Sequence, residues 1–301
     1  MPRTARGALT LAETAPRSRR QRRIGGLLTV VLVGVVGTAG YVGIRHLTRL
    51  VSGESCRVTA ADQTFEWAPD QASNAAAITA IAVKRGLPPR AATIAIATAM
   101  QESKVRNVRF GDRDSLGLFQ QRPSQGWGSA EQILDPEYST NKFYDALVKV
   151  EGYTDMDIAE AAQEVQRSAA GEAYAQHEAQ ARVTASVLSG QTPGGIGCAL
   201  GDPEGPGDAD ELLALVEKDF GLTGVVTGER QVLVSTDSDD AAWAVASWAV
   251  ARAVDTGAVE VRTDLSRWER SMDEASLGWQ SVGTGSSAGE PDARSVLIRL
   301  A

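Results

Sequence analysis

Histidine and cysteine are nearly missing from this chain of 301 residues, at two each. His46, His177, Cys56 and Cys198 are too few to assemble a soft-ligand metal site, so neither a metal nor a cofactor is implied. There is no Cys-x-x-Cys, no Walker A segment and no Gly-x-Ser-x-Gly, and a Ser-His-Asp triad would have to use His177 in the polar run YAQHEAQ. Basic charge is equally scarce beyond the first residues. Residues 1–23 hold seven arginines against Glu13, a net +6, which leaves −14 on the rest of a chain whose total is −8. So acidic a remainder argues against nucleic acid as the main partner, because phosphate binding needs a basic footprint. Lysine is rare beside arginine, 5 against 25, which with abundant Ala and Gly is the codon signature of a high-GC bacterial genome.

One long apolar run is present. Residues 24–44 (IGGLLTVVLVGVVGTAGYVGI) are 21 positions without a charge, which as a helix would span about 32 Å, enough to cross a bilayer core. The arginines of 1–23 precede it, so the positive-inside rule predicts a basic cytoplasmic tail, a single transmembrane helix over 24–44 and export of the remainder from the cell membrane. A cleaved signal peptide is the competing reading; the run is longer than a usual signal core and no A-x-A site follows it. In an exported chain, Cys56 and Cys198 are most simply a disulfide, against the alternative of two free thiols. Closing so long a loop contributes up to about 5 kcal/mol in the chain-entropy model.

Between these cysteines the pattern is helical. Residues 70–85 read as a helix with Asp70 as N-cap, and 90–102 as a second that is apolar on nearly every face and therefore internal. Residues 104–130 are loop-like; helices return at 138–151 and within 156–188. The Gly/Pro-rich stretch 190–209 reads as a linker. Beyond it, helical 209–219 and 239–254 alternate with strand-like 230–235, 258–262 and 294–300, a small α/β unit. Trp243, Trp248, Trp268 and Trp279 in that unit read as core before glycan platform. No chemistry is assigned to it.

Glu102 is the candidate catalytic residue. It ends the buried helix, where desolvation and the negative end of the helix dipole both favour a protonated carboxyl, as a general acid requires. An isolated glutamate in that place would more simply be a solvated helix end. The residues that follow alter that balance: Ser103 is adjacent, and SLGLFQQRPSQGWG occupies 115–128.

Glu102-Ser103 at the end of an apolar helix, followed by Gly117-Leu118-Phe119-Gln120, resembles the lysozyme-like superfamily, in the group of soluble lytic transglycosylases and goose-type lysozymes. Asp135-Pro136-Glu137-Tyr138 ahead of a helix is similar to that group's continuation, and the likeness covers roughly residues 70–188. More narrowly, residues 97–128 resemble actinobacterial membrane-anchored proteins carrying such a domain. The resemblance implies a mainly α lysozyme-like domain over 53–198, after the transmembrane helix, a linker over 199–209 and the small α/β domain over 210–301. It implies peptidoglycan glycan strands as partner and substrate. Glu102 would protonate the glycosidic oxygen between N-acetylmuramic acid and N-acetylglucosamine, with Ser103, Gln120, Gln121, Trp127 and Asp114 binding substrate. Trp127 is either a ring that stacks on a sugar or an aromatic plug for its loop.

The departures from that pattern are specific. A Tyr-Asn-Ala-Gly stretch whose tyrosine lies near the acid is replaced by Ala161-Ala162-Gln163-Glu164-Val165-Gln166, and Phe110-Gly111 occupies the place of a serine between the two motifs. These departures keep open a non-catalytic peptidoglycan-binding or envelope-scaffold module. A hydrolase needs a second carboxylate, for which Asp112 and Asp114 are available; pairing of either with Arg109, Arg113 or Arg122 favours a single-acid lytic transglycosylase instead.

Overall fold

Alternation in SCRVTA turns Cys56, Val58 and Ala60 inward and makes Ser55–Ala60 a half-buried strand, β1. The computed structural model describes residues 53–166, 172–283 and 291–301. β1 pairs antiparallel with β2 (Gln63–Trp67) on one side and β3 (Ile196–Ala199) on the other. The β1–β2 turn is Ala61-Asp62, both left-handed at φ 48° and 62°, as a two-residue hairpin with the twist of its strands demands. Cys56 lies directly opposite Cys198, and the expected disulfide joins them across 142 residues.

Seven described helices run between β2 and β3. They are α1 (Pro69–Lys84), α2 (Pro89–Ser103), α3 (Ala130–Ile133), α4 (Pro136–Leu147), α5 (Ile158–Gln166), α6 (Glu172–Ala175) and α7 (Glu178–Leu188). Pro69 takes the first helical position of α1, where its missing N–H costs nothing, and Gln71 Oε1 accepts Ala68 N at 3.1 Å. Asp70, expected as the cap, lies instead in the first turn and pairs with Arg106 Nε at 2.9 Å. α2 buries every residue from Ala91 to Ala99; its small side chains let α1, α5 and α7 close in around it.

The second half holds α8 (Ala209–Phe220), β4 (Gly224–Gly228), β5 (Gln231–Ser235), α9 (Asp239–Ala251), α10 (Ala253–Thr256), β6 (Ala258–Arg262), β7 (Ser266–Glu269), β8 (Gln280–Ser281) and β9 (Ser295–Leu300). Its strands form one sheet in the order β4-β5-β9-β6-β7-β8, antiparallel at every pairing. Asp208 and Ser238 cap α8 and α9 with side-chain oxygens on the first-turn amides. α9 packs at once on α1, α7, β3, β6 and β9, so Gly53–Ala301 is one compact unit with a continuous apolar core.

These findings correct the expected fold class. A mainly α lysozyme-like domain followed by a small α/β domain is not what the chain forms. Its described residues hold ten α-helices and nine strands in two antiparallel sheets. Among them no helix is long and apolar enough to cross a membrane; the transmembrane expectation for 24–44 and the basic tail at 1–23 lie outside the described residues. The glycines read as linker explain part of the difference. A Cβ at Gly190 would meet Asp240 O at 1.8 Å, and one at Gly197 would meet Leu277 C at 2.2 Å. Those positions are glycine because backbone from the two halves touches there. Trp279 Nε1 donates to Ile196 O at 2.7 Å and Arg270 Nε to Gly201 O at 2.5 Å, which ties the same region down.

Candidate functional site

Glu102 is half-buried in the last turn of α2. The helix stops at Lys104, whose φ is 56°, and Val105 follows at φ 54°. Left-handed backbone on a β-branched residue costs about 1–3 kcal/mol and persists only where its surroundings enforce it. Here Val105 is fully buried, its N–H donates to Ala99 O at 2.9 Å and its carbonyl accepts Asn74 Nδ2 at 2.9 Å. The consequence is a sharp exit from the helix immediately after the candidate acid.

The Gly-Leu-Phe-Gln turn is drawn onto that exit. Ser103 Oγ donates to Leu118 O at 2.7 Å, so Ser103 binds backbone and positions the turn. Leu118 and Phe119 are fully buried, and Phe119 stacks on Phe143 at 4.6 Å between centroids. Gly117 is required: at φ 76°, a Cβ there would meet Ile133 O at 2.7 Å. Gln166, at the end of α5, donates to Phe119 O at 2.7 Å from the other side.

Tyr174 is the member that the sequence did not place. It lies in α6, 72 residues beyond Glu102, is 1% exposed, and its hydroxyl donates to Glu102 Oε1 at 2.7 Å. A buried phenol on a carboxylate fixes the rotamer of the acid and is a charge-assisted bond when the acid is ionised. The signal for it was thin: one tyrosine in AYAQHE, outside the position where the resembled group carries its own.

No protein-family model matches the chain, and no curated protein matches it. The site therefore stands on its geometry.

Gln120 is half-buried at φ 47°, with Nε2 donating to Gly117 O at 3.3 Å. A Cβ at Gly111 would meet Gln120 Oε1 at 1.9 Å and the backbone oxygen of Ser115 at 2.8 Å, so the chain passes too close there for a side chain. Gln121 is 1% exposed and donates to Ser139 O at 3.0 Å, so it anchors the turn to α4 from beneath the surface. Trp127 is half-buried and packs on the core.

Asp114 is committed to its own loop. It accepts Arg122 Nε at 2.8 Å, Ser124 N at 2.8 Å and Ser124 Oγ at 3.0 Å. These donors, Arg122 first, hold its carboxyl far below the usual carboxylate range. Asp112 is exposed and lies 3.8 Å from Arg113. Neither is tied by a hydrogen bond to the group formed by Glu102, Ser103 and Tyr174. On the adjoining flank of α2, Gln101 Oε1 receives Gln176 Nε2 at 3.2 Å and stands 3.1 Å from His177 Nε2.

Proposed function

We propose that this chain cleaves peptidoglycan glycan strands as a lytic transglycosylase, with Glu102 as its single acid and base. The observation that carries the reading is the 2.7 Å bond from Tyr174 to Glu102, beside a turn locked to the same helix end by Ser103. Glu102 would give its proton to the glycosidic oxygen as the C1–O4 bond breaks. The C6 hydroxyl of the same muramoyl residue would close on C1, returning its proton to Glu102 and leaving a 1,6-anhydro end. Such a route needs one carboxyl group, which agrees with Asp114 held by Arg122 and Ser124 and with Asp112 lying in solvent beside Arg113. The disulfide supports placement on the extracytoplasmic side, where such bonds persist.

The bond from Gln120 back to Gly117 favours a second reading, in which a glycan is bound and left intact. Incubating the purified chain with purified peptidoglycan and analysing the products by mass separates the readings. Anhydro ends support the proposal, new reducing ends indicate a hydrolase, and intact sacculi that sediment with the protein indicate a binder.

A further inference from the structure

A cavity of about 480 Å³ opens beside the last turn of α2, lined by Glu66, Trp67, Met100, Gln101, Lys104 and His177 among others. Its volume lies in the range of small-ligand sites, roughly 300–1,000 Å³. Glu102 is not part of its wall. Trp67 forms a fixed, apolar side: it is 3% exposed and its indole N–H is spent on Thr184 Oγ1 at 3.1 Å. Gln71, also in the lining, is fully engaged, with Oε1 on Ala68 N and Nε2 on Lys104 O at 2.7 Å.

The remaining polar atoms have a definite polarity. Gln176 Nε2 also donates to Ala173 O at 3.0 Å, so it is a nitrogen, and the Gln101 atom facing it must be the oxygen. That oxygen only accepts, so His177 presents a protonated Nε2 to it at 3.1 Å. Burial lowers the pKa of His177, in keeping with a neutral ring. This relay leaves Gln101 Nε2 as a donor without a partner among the described residues. Lys104 likewise makes no ion pair among them, although its backbone is held left-handed at the helix end, where glycine would be easier. Glu66 is the one carboxylate of the wall, on an exposed rim 3.8 Å from Arg57.

We infer that this cavity binds the free carboxylate end of a short peptide, with Lys104 and Gln101 holding the carboxylate and Trp67 and Met100 holding the adjoining apolar side chain. An anion fits this wall because the unpaired donors belong to the exposed side chains of Gln101 and Lys104, while the lone carboxylate of the wall, Glu66, lies 3.8 Å from Arg57 at the rim. The inference concerns binding alone and stands apart from glycan cleavage by Glu102.

The test is an NMR titration of the full chain with N-acetyl-alanyl-alanine and, separately, its C-terminal amide, following His177 and the side-chain amide of Gln101. Saturable shifts at both groups with the free acid, weakened about tenfold by Lys104→Met and recovered in Lys104→Arg, support the site. Equal binding of acid and amide overturns it, as do shifts confined to residues elsewhere or no shift at all in a folded protein. Lys104→Gln provides a second neutral variant if Lys104→Met fails to fold. Because no glycan is present, failure here leaves the cleavage reading untouched.

Discussion

Among the described residues, Tyr174 is the side chain that hydrogen-bonds the carboxyl group of Glu102, through one 2.7 Å contact. A hydrogen bond to a charged group is worth about 1.5–3 kcal/mol, so Tyr174→Phe is expected to lower glycan cleavage roughly ten- to a hundredfold. Thermal unfolding should move little, because the ring stays buried and only the hydroxyl is lost. A kcat unchanged in Tyr174→Phe would remove the tyrosine from the site. Glu102, Ser103 and the turn were legible because two short motifs stand 18 residues or fewer apart, from Glu102 to Gln120. Tyr174 was not legible, because the contact spans 72 residues and a four-residue helix offers no periodicity to read. Gln121 was misleading for another reason: an amide beside a polar loop looks like a ligand contact, and it is a buried anchor.

At the scale of elements, the segment from Lys104 to Ser124 is the device that sets the site. It concentrates left-handed non-glycine backbone at Lys104, Val105, Arg113 and Gln120, which costs free energy that packing must offset. Asp114 closes the far end by clasping Arg122 and Ser124. Its folded-state pKa lies below its unfolded value. The stabilisation is therefore present above the unfolded carboxylate pKa of about 3.9 and is lost as pH falls through the lower folded value. Asp114→Asn should lower the melting temperature at pH 7, and the gap from wild type should close as pH drops below about 4. A pH-independent gap in the melting curves would assign the effect to packing. The strands flanking the helices were harder to read than the helices. β1 and β3 are six and four residues long, and β3 lies in a glycine-rich run whose glycines serve close contact with α9 and with the stretch around Leu277. Composition alone does not distinguish such glycines from those of a flexible linker.

For the whole molecule, the sheet and helical halves are joined through α9 and through the contact of β3 with the turn at Glu274–Leu277. Helix and strand alternate along the second half, which suggested an α/β unit, yet β9 returns antiparallel between β5 and β6. That pairing is set by contacts across some forty residues and more, beyond the reach of local patterning. The Cys56–Cys198 bond closes the first and last strands of the small sheet. Replacing both cysteines by serine should cost about 2–5 kcal/mol in denaturant unfolding. A loss under 0.5 kcal/mol would mean that the sheet holds its termini without the bond. The most direct test of the account is the yield of anhydro-muropeptides from purified peptidoglycan, compared between wild type and Glu102→Gln at matched folded concentration. Loss of the general acid should reduce release by on the order of 10²–10⁴-fold while the melting temperature stays within a few degrees. Release by Glu102→Gln at the wild-type rate would contradict the assignment of Glu102.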